Sequence, residues 1–481
     1  MFTTESESDI NQRMELFGKY LDRTGMEHKE YQFEGVRWCL KNELRDCPVG
    51  GVRGGFIADE MGLGKTIMMI GLMLCNFLTR TLIVLPPILI DQWVLQIYRT
   101  TGHRALVYHG ANKKKITLDM MKRAIIVITS YGDVAYVRGG GDKDKKKEKS
   151  LLFQVRWSRV VYDEAHHMRN AKTVLFERVK KLKAGICWLV SGTPIQNRLK
   201  DFHNLCSLLG LGKKSVDLSL MGDFVLKRTK QEVGIPMPLL SVDKIMVGWK
   251  NQKELELSES IHRFIPHAIR EEKLMAMMFA KQSCIMSGLL EKNLWLLSEL
   301  GVLENMNDVN LKEGVRCSSK LDKVVEKIIE RKGNGCGKIV FCHFHKEMDE
   351  IGRRLCFDGG MAVAMFDGRV GGVKKRQSIL NSGVEVLLLQ IQTGCEGLNL
   401  QENYSEIYFV SPHWNPAVEE QAIARCHRIG QMKPVVVERF VMGDFIEEEK
   451  EKADLEKEPN IMLTMDNYIS KVQDEKKKFH I

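Results

Sequence analysis

Two series of short apolar, β-rich runs, each run set off from the next by a helix-length segment, constrain this chain more than any other feature. The first series is Gly55–Ala58, Thr81–Leu85, Ile125–Thr129, Arg159–Tyr162 and Cys187–Ser191. The second is Lys338–Cys342, Met361–Met365, Val384–Leu389, Glu406–Val410 and Val435–Phe440. Strands this short and this apolar are buried on both faces, which calls for a parallel sheet with helices on either side. Two α/β lobes are therefore predicted, in a chain whose 481 residues exceed one compact domain. Residues 231–315 read differently. Asn251–Leu300 is rich in Leu, Met, Glu and Lys and predicts helix, so this segment reads as an insertion or bridge outside either sheet. The expected division is a mobile or helical lead-in at 1–27, a first lobe at 28–230, the helical insertion at 231–315, a second lobe at 316–450 and a charged tail at 451–481. The tail predicts a helix ending in the basic Lys476–Lys478, and Gly139–Ser150 reads as a solvated charged loop rather than a nuclear-localisation patch.

Composition narrows the class. With 44% hydrophobic and 28% charged residues the chain is neither disordered nor fibrous. Its longest apolar runs, such as Thr81–Ile90, fall short of the roughly 20 residues needed to cross a bilayer, so no membrane partner is expected. The acidic, polar start is not a secretory signal. Twelve cysteines without a C-x-x-C pair predict free thiols and no zinc finger. A net charge of +10 gives a mild attraction to polyanions.

Ala58–Thr66 (ADEMGLGKT) lies between an apolar strand and the apolar stretch Ile67–Leu78. That strand–loop–helix setting suits a phosphate loop, in which glycines turn backbone N–H groups inward and the helix N-terminus adds partial positive charge. Lys65 would reach the β and γ oxygens of a nucleotide, and Thr66 would hold Mg²⁺. The strict pattern lacks its first glycine, because Asp59 stands there. Val160–His166 (VVYDEAH) delivers two adjacent carboxylates at a strand's C-terminal end, where open α/β sheets bind ligands. Asp163 would bind Mg²⁺ through water, and Glu164 would orient or deprotonate the attacking water. His166 reads as a polar relay rather than a metal ligand.

Ser191–Asn197 (SGTPIQN) follows a strand, and with the preceding elements completes a series that resembles the SWI/SNF-like ATPases, the double-stranded-DNA-translocating branch of helicase superfamily two. The resemblance spans roughly residues 28–450 and implies two RecA-like lobes of the P-loop NTPase fold, with ATP and Mg²⁺ as cofactors. DEMGLGKT is that family's phosphate loop as commonly written, so Asp59, Glu60, Met61, Gly62, Leu63, Gly64, Lys65 and Thr66 are the nucleotide-binding residues it implies, with Gln32 contacting the base. Thr81–Trp93, Asp163–Asn170 and Leu226–Lys230 (LKRTK) continue the series in order. Thr129, Ser130 and Tyr131 resemble a DNA-contacting motif, and Ser191, Thr193 and Gln421 join His166 in coupling.

In the second lobe, Ser319-Lys320-Leu321, Phe366-Asp367-Gly368, Trp414-Asn415-Pro416 and Gln421–Gln431 (QAIARCHRIGQ) match the same family. Arg425 and Arg428 stand three apart, so on a helix they would share one face and reach a γ-phosphate as arginine fingers. Trp414 fits a DNA contact or a packing residue equally well. Two segments depart from the pattern. Gln390–Leu400 keeps Gly394, Gly397 and Asn399 but loses the hydroxyl and basic groups and gains Glu396, and Val340–Phe344 is altered as well.

The expected function is an ATP-driven translocase on double-stranded DNA, with nucleosomes and transcription or repair proteins among its partners. It would act in the nucleus or in another DNA-containing compartment such as a viral replication site. Two alternatives stand beside it, a DEAH-type RNA helicase and a DNA-binding ATPase uncoupled from translocation. No chromatin-reading domain or ring-type insert is evident, which suggests a partner subunit or a streamlined origin.

Overall fold

The computed structural model describes residues 7–45, 51–135, 150–192, 199–211, 221–303, 318–370, 378–380, 382–394, 398–446 and 461–477. The chain divides into two units, Met1–Pro236 and Met237–Lys478. The first is built on seven parallel strands: β1 Gly54–Ile57, β2 Thr81–Leu85, β3 Leu106–Tyr108, β4 Ile126–Ser130, β5 Trp157–Asp163, β6 Ala184–Val190 and β7 Val225–Leu226. Their spatial order is β3-β4-β2-β5-β6-β1-β7. Period-two alternation divides the strand residues between two cores. Ile57, Ile83, Val161 and Trp188 enter one, and Phe56, Leu82, Val160 and Leu189 enter the other. All five strands predicted here form, within a few residues of their expected ends. β3 and β7 have only three and two residues, too few to leave a sequence pattern.

The lead-in is helical, one of the two alternatives expected for it, and its helix enters this unit's core. Helix Glu7–Thr24 buries Ile10, Met14, Phe17, Tyr20 and Leu21 on one stripe. The stripe packs on helix Lys65–Cys75 where Gly71 leaves room, since a Cβ there would stand 2.4 Å from the Phe17 ring. Beneath it, Glu43 is wholly buried and accepts from Arg159 Nε at 2.6 Å, Trp188 Nε1 at 2.8 Å and Asn76 Nδ2 at 2.7 Å. This one carboxylate joins helix Glu30–Leu44, β5, β6 and the end of the phosphate-loop helix.

The second unit carries six parallel strands: β8 Leu240–Val247, β9 Gly337–Cys342, β10 Val363–Phe366, β11 Val386–Gln390, β12 Tyr404–Phe409 and β13 Val435–Met442, in the order β10-β11-β9-β12-β13-β8. A short antiparallel pair, β14 Phe445–Ile446 and β15 Ile461–Met462, follows. The expectation that residues 231–315 stand outside both sheets is corrected by β8, which pairs along its whole length with β13. β8 was illegible because it is an edge strand, buried only at Val247, and so carries no continuous apolar run. Helices Gln252–Phe264 and Arg270–Ile285 form as expected, but Leu257, Ile261, Phe279 and Cys284 enter the same core as Val340, Ile351 and Leu388.

The tail is likewise integral to the second unit. In helix Met465–Lys477, the buried Asp466 carboxylate pairs with the buried Lys320 ammonium and accepts from Ser411 Oγ at 2.9 Å and Met442 N at 3.0 Å. The charged loop expected at Gly139–Ser150 lies outside the described residues apart from Ser150. Replacing Glu43 by Ala strands a buried guanidinium, and should lower unfolding free energy by about 3–5 kcal/mol in a denaturant titration.

Candidate active site

The first-unit residues proposed for nucleotide chemistry lie about the C-terminal ends of β1, β5 and β6. As β1 ends, the chain continues beside β7: Ala58 N donates to Leu226 O at 2.7 Å and Glu60 N to Arg228 O at 2.9 Å. Asp59, the residue that stands where a glycine was expected, is fully buried. Arg228 clamps its carboxylate through Nη2 at 2.6 Å and Nε at 3.2 Å, and donates to Tyr31 O at 2.5 Å. Glu60 is held by Lys230, whose backbone N donates at 2.8 Å and whose Nζ lies 3.1 Å away. The Leu226–Lys230 signature is therefore the brace of the phosphate loop.

Gly62 and Gly64 take positive φ, 93° and 82°, which bends the loop over the start of helix Lys65–Cys75. Lys65 Nζ donates to the loop carbonyls of Asp59 at 2.8 Å and Glu60 at 3.3 Å. Gln32 is buried and donates to Leu63 O at 3.2 Å, so its amide supports the loop from beneath. An open cavity of about 560 Å³ lies alongside, lined by Tyr31, Glu34, Lys227, Arg228 and Glu232. Its walls, Tyr31 with the Arg228 guanidinium 5.7 Å above the ring, were not anticipated from sequence, although both residues lie in motifs it singled out.

Asp163 ends β5, with Trp93 Nε1 donating to Oδ2 at 2.8 Å and Glu164 N to Oδ1 at 3.0 Å. Burial, and after it the neighbouring Glu164 carboxylate, push Asp163 up to about 7 from its ordinary 3.8. Glu164 adopts the left-handed region at φ 53°, a strained choice for a side chain with a Cβ. Its carboxylate lies 3.3 Å from His166 Nδ1, and the same nitrogen lies 3.1 Å from Ser191 Oγ. One nitrogen of His166 thus stands between the Glu164 carboxylate and Ser191 at the end of β6. Gly192 closes over the loop, where a Cβ would stand 3.1 Å from Lys65 Nζ. Thr193 lies outside the described residues.

Trp93, the last residue of the Thr81–Trp93 motif, was given no role of its own from sequence, and its buried indole N–H holds the Asp163 carboxylate. An indole N–H buried this deeply must find an acceptor, and that requirement was the available signal. Thr129, Ser130 and Tyr131 are a correction. All three are buried, and their hydroxyls are committed to Tyr108 O at 2.9 Å, Asp133 Oδ2 at 2.7 Å and Asp163 O at 2.6 Å. They brace β4 against its neighbours and present no surface to DNA.

In the second unit, Arg425 and Arg428 do not share a helical face as expected. Helix Pro416–Ile423, capped by Asn415, ends before them, and both stand in the turn that follows. Burial and then Arg425 push Arg428 down to about 10, and its guanidinium donates to Asn399 Oδ1. Two mutually repelling cations suit a polyanion. Gln421 is buried in the preceding helix. Trp414 packs on this unit's core with its ring edge-on to Tyr468 at 6.2 Å, the packing alternative of the two readings. Within the altered Gln390–Leu400 segment, Cys395–Gly397 lie outside the described residues.

Comparison with known proteins agrees with this geometry. An SNF2-related domain is matched over residues 31–217 and a helicase conserved C-terminal domain over 319–430. An uncharacterized ATP-dependent helicase of Mycoplasma genitalium is 30% identical over 87% of this chain and 40% of its own length. A probable global transactivator of Orgyia pseudotsugata multicapsid polyhedrosis virus is 26% identical over 86% of this chain and 86% of its own. The chain thus spans well under half of the first relative and most of the second. The crystal structure of the Pyrococcus furiosus Hef helicase domain is similar in fold, with a TM-score of 0.52 at 16% identity over 86% of this chain and 95% of that one. Both units are accordingly RecA-like. Asp163–His166 spells the DEAH string, but the matched domain is the SNF2-related one, which overturns the DEAH-type label.

The raised value of Asp163 has a stability consequence of definite sign. A carboxyl whose folded value lies above its unfolded one weakens the fold progressively as pH rises from about 3.8 to about 7, and fully above that. Both Asp163 oxygens accept N–H donors, so an Asn amide loses one of them at every pH, but the melting temperature of Asp163→Asn relative to the wild type should rise by at least about 3 °C between pH 4 and pH 8 in a thermal-unfolding series.

Proposed function

The chain belongs to the SNF2-related ATPases, carrying that domain ahead of a helicase conserved C-terminal domain, and on that premise we propose that it hydrolyses ATP in response to double-stranded DNA and moves along the duplex. The observation that carries the reading is the convergence, at one edge of the first sheet, of Lys65, the Asp163–Glu164 pair and the His166–Ser191 relay. The loop glycines at positive φ turn backbone N–H groups toward one side, and Lys65 exchanges its loop carbonyls for phosphate oxygens. Tyr31 and Arg228 offer the adenine a flat wall and a cation beside the loop.

The donors also fit a magnesium ion. Asp163 is a buried carboxylate whose charge is costly without a cation, and Thr66 is the second residue of the helix that follows the loop. These two residues would hold Mg²⁺, which when bound screens phosphate charge. Glu164 takes the proton of the attacking water, and His166 passes the state of that carboxylate to Ser191 at the end of β6. Arg425 and Arg428 are the cations that the family resemblance offers to the negative charge developing on the γ-phosphoryl group. Grip on the duplex goes mainly to phosphates, giving little sequence preference and strong dependence on salt. The site of action is a DNA-containing compartment, nuclear or viral, with nucleosomes and transcription or repair proteins as the partners in view.

The test is steady-state ATP hydrolysis with no nucleic acid, single-stranded DNA, duplex DNA and RNA, at low and high salt. Duplex DNA should stimulate strongly, Lys65→Ala should abolish turnover, and Arg428→Ala should lower kcat by about 10³-fold or more. Hydrolysis indifferent to every nucleic acid would overturn the duplex-driven reading and leave an uncoupled ATPase. Preference for RNA would overturn the choice of substrate.

A further inference from the structure

Asp133 gathers more donors than any helical turn needs. It is 7% exposed and accepts from Ser130 Oγ at 2.7 Å, from His109 Nδ1 at 2.6 Å and from the Lys113 ammonium. The first donor ends β4, and the other two lie in the chain that leaves β3. One carboxylate therefore ties together the two segments that emerge from the far edge of the first sheet.

The segment after β3 is the turn Gly110–Lys115, with the sequence GANKKK. Lys113 is spent on Asp133, while Lys114 and Lys115 are exposed, and neither has a carboxylate within ion-pair distance among the described residues. A parallel sheet sends every such turn to the same end, so this basic turn shares an edge with the phosphate loop and Asp163. Three strand spacings separate β3 from β5, or about 14 Å. Tyr131, two residues before Asp133, donates its hydroxyl to the carbonyl of Asp163 at 2.6 Å. The basic turn is thus tied by hydrogen bonds through Asp133 to Ser130, and the next residue along the chain, Tyr131, is tied to the strand end that bears Asp163.

We propose that the Gly110–Lys115 turn contacts the phosphate backbone of duplex DNA through Lys114 and Lys115, and that Asp133 is the positioning residue holding that turn in register with Asp163. The proposal rests on the duplex-driven reading for its substrate. It replaces the contacts expected at Thr129–Tyr131, whose buried hydroxyls serve as the connection instead.

The experiment pairs binding with turnover in the full chain. Binding is read as fluorescence anisotropy of a labelled DNA duplex across a salt series without nucleotide, and turnover as ATP hydrolysis with and without the same duplex. Lys114→Ala with Lys115→Ala should reduce the slope of log affinity against log salt by about 1.8, one ion's release per lost phosphate contact, and weaken binding about tenfold at moderate salt. DNA-free hydrolysis should not change. Asp133→Asn should weaken duplex binding and lower the duplex-stimulated maximum while sparing DNA-free hydrolysis, and Asp133→Glu should restore both. An unchanged slope and affinity in the double lysine variant would overturn the contact. A fall of stimulated and DNA-free rates in step for Asp133→Asn would reduce that residue to a structural one. Lysine-dependent binding by a wild type whose hydrolysis ignores DNA would instead sink the motor reading and leave the contact standing.

Discussion

The ion pair between Asp59 and Arg228 is the constraint on which the first unit's chemistry depends. It joins residues 169 apart, and the carboxylate side of it is wholly buried. A carboxylate in that position is tolerable only if a cation reaches it, and Arg228 does so with two nitrogens while its third satisfies Tyr31 O. The phosphate loop, the segment bearing the cavity's aromatic wall and the last strand of the sheet are thereby locked to one another. Removing either partner leaves an unpaired group in the interior, a loss that in buried pairs is typically about 3–5 kcal/mol. The same geometry accounts for the absent first glycine. Asp59 runs beside β7 as extended chain, and the left-handed turn is delayed to Gly62 and Gly64.

A parallel sheet with covered faces leaves only its ends for polar chemistry, and the first unit places its polar groups accordingly. Asp163, Ser191 and Gln32 are buried, yet each has a hydrogen-bond partner near the C-terminal edge. The strain sits there too, in the backbone of Glu164. Aromatic side chains do much of the ordering: Trp93 and Tyr131 fix the two ends of Asp163, and the Tyr131 ring lies 5.3 Å from that of His167. The second unit uses a different device. Its buried Lys320–Asp466 pair fastens helix Met465–Lys477 to helix Ser319–Glu330, while Lys281 meets Pro412 O at 3.1 Å in the same interior.

Much of this molecule could be read without coordinates. The ten strands read from sequence, the phosphate loop and the carboxylate pair are local features, each carried within one strand–turn–helix unit by period, spacing and residue type. What escaped reading was of another kind. β8 is half-exposed and so lacks an apolar signature, β3 and β7 are too short to have one, and helix Glu7–Thr24 gave no sign of which core it would enter. Thr129–Tyr131 were read as surface because their motif resembled a contact, whereas the end of an interior strand and the first residue of the helix after it are buried.

By itself, then, the sequence determined two parallel-sheet lobes, the residue types of the nucleotide site and the order in which they occur, because those depend on neighbours within a few positions. Only the tertiary structure decided the partners: Arg228 for Asp59, Trp93 for Asp163, Arg159 for Glu43, at separations of 169, 70 and 116 residues. Such pairings follow from which strands lie side by side, and strand order in a parallel sheet is set by packing across the whole sheet rather than by any local run of residues.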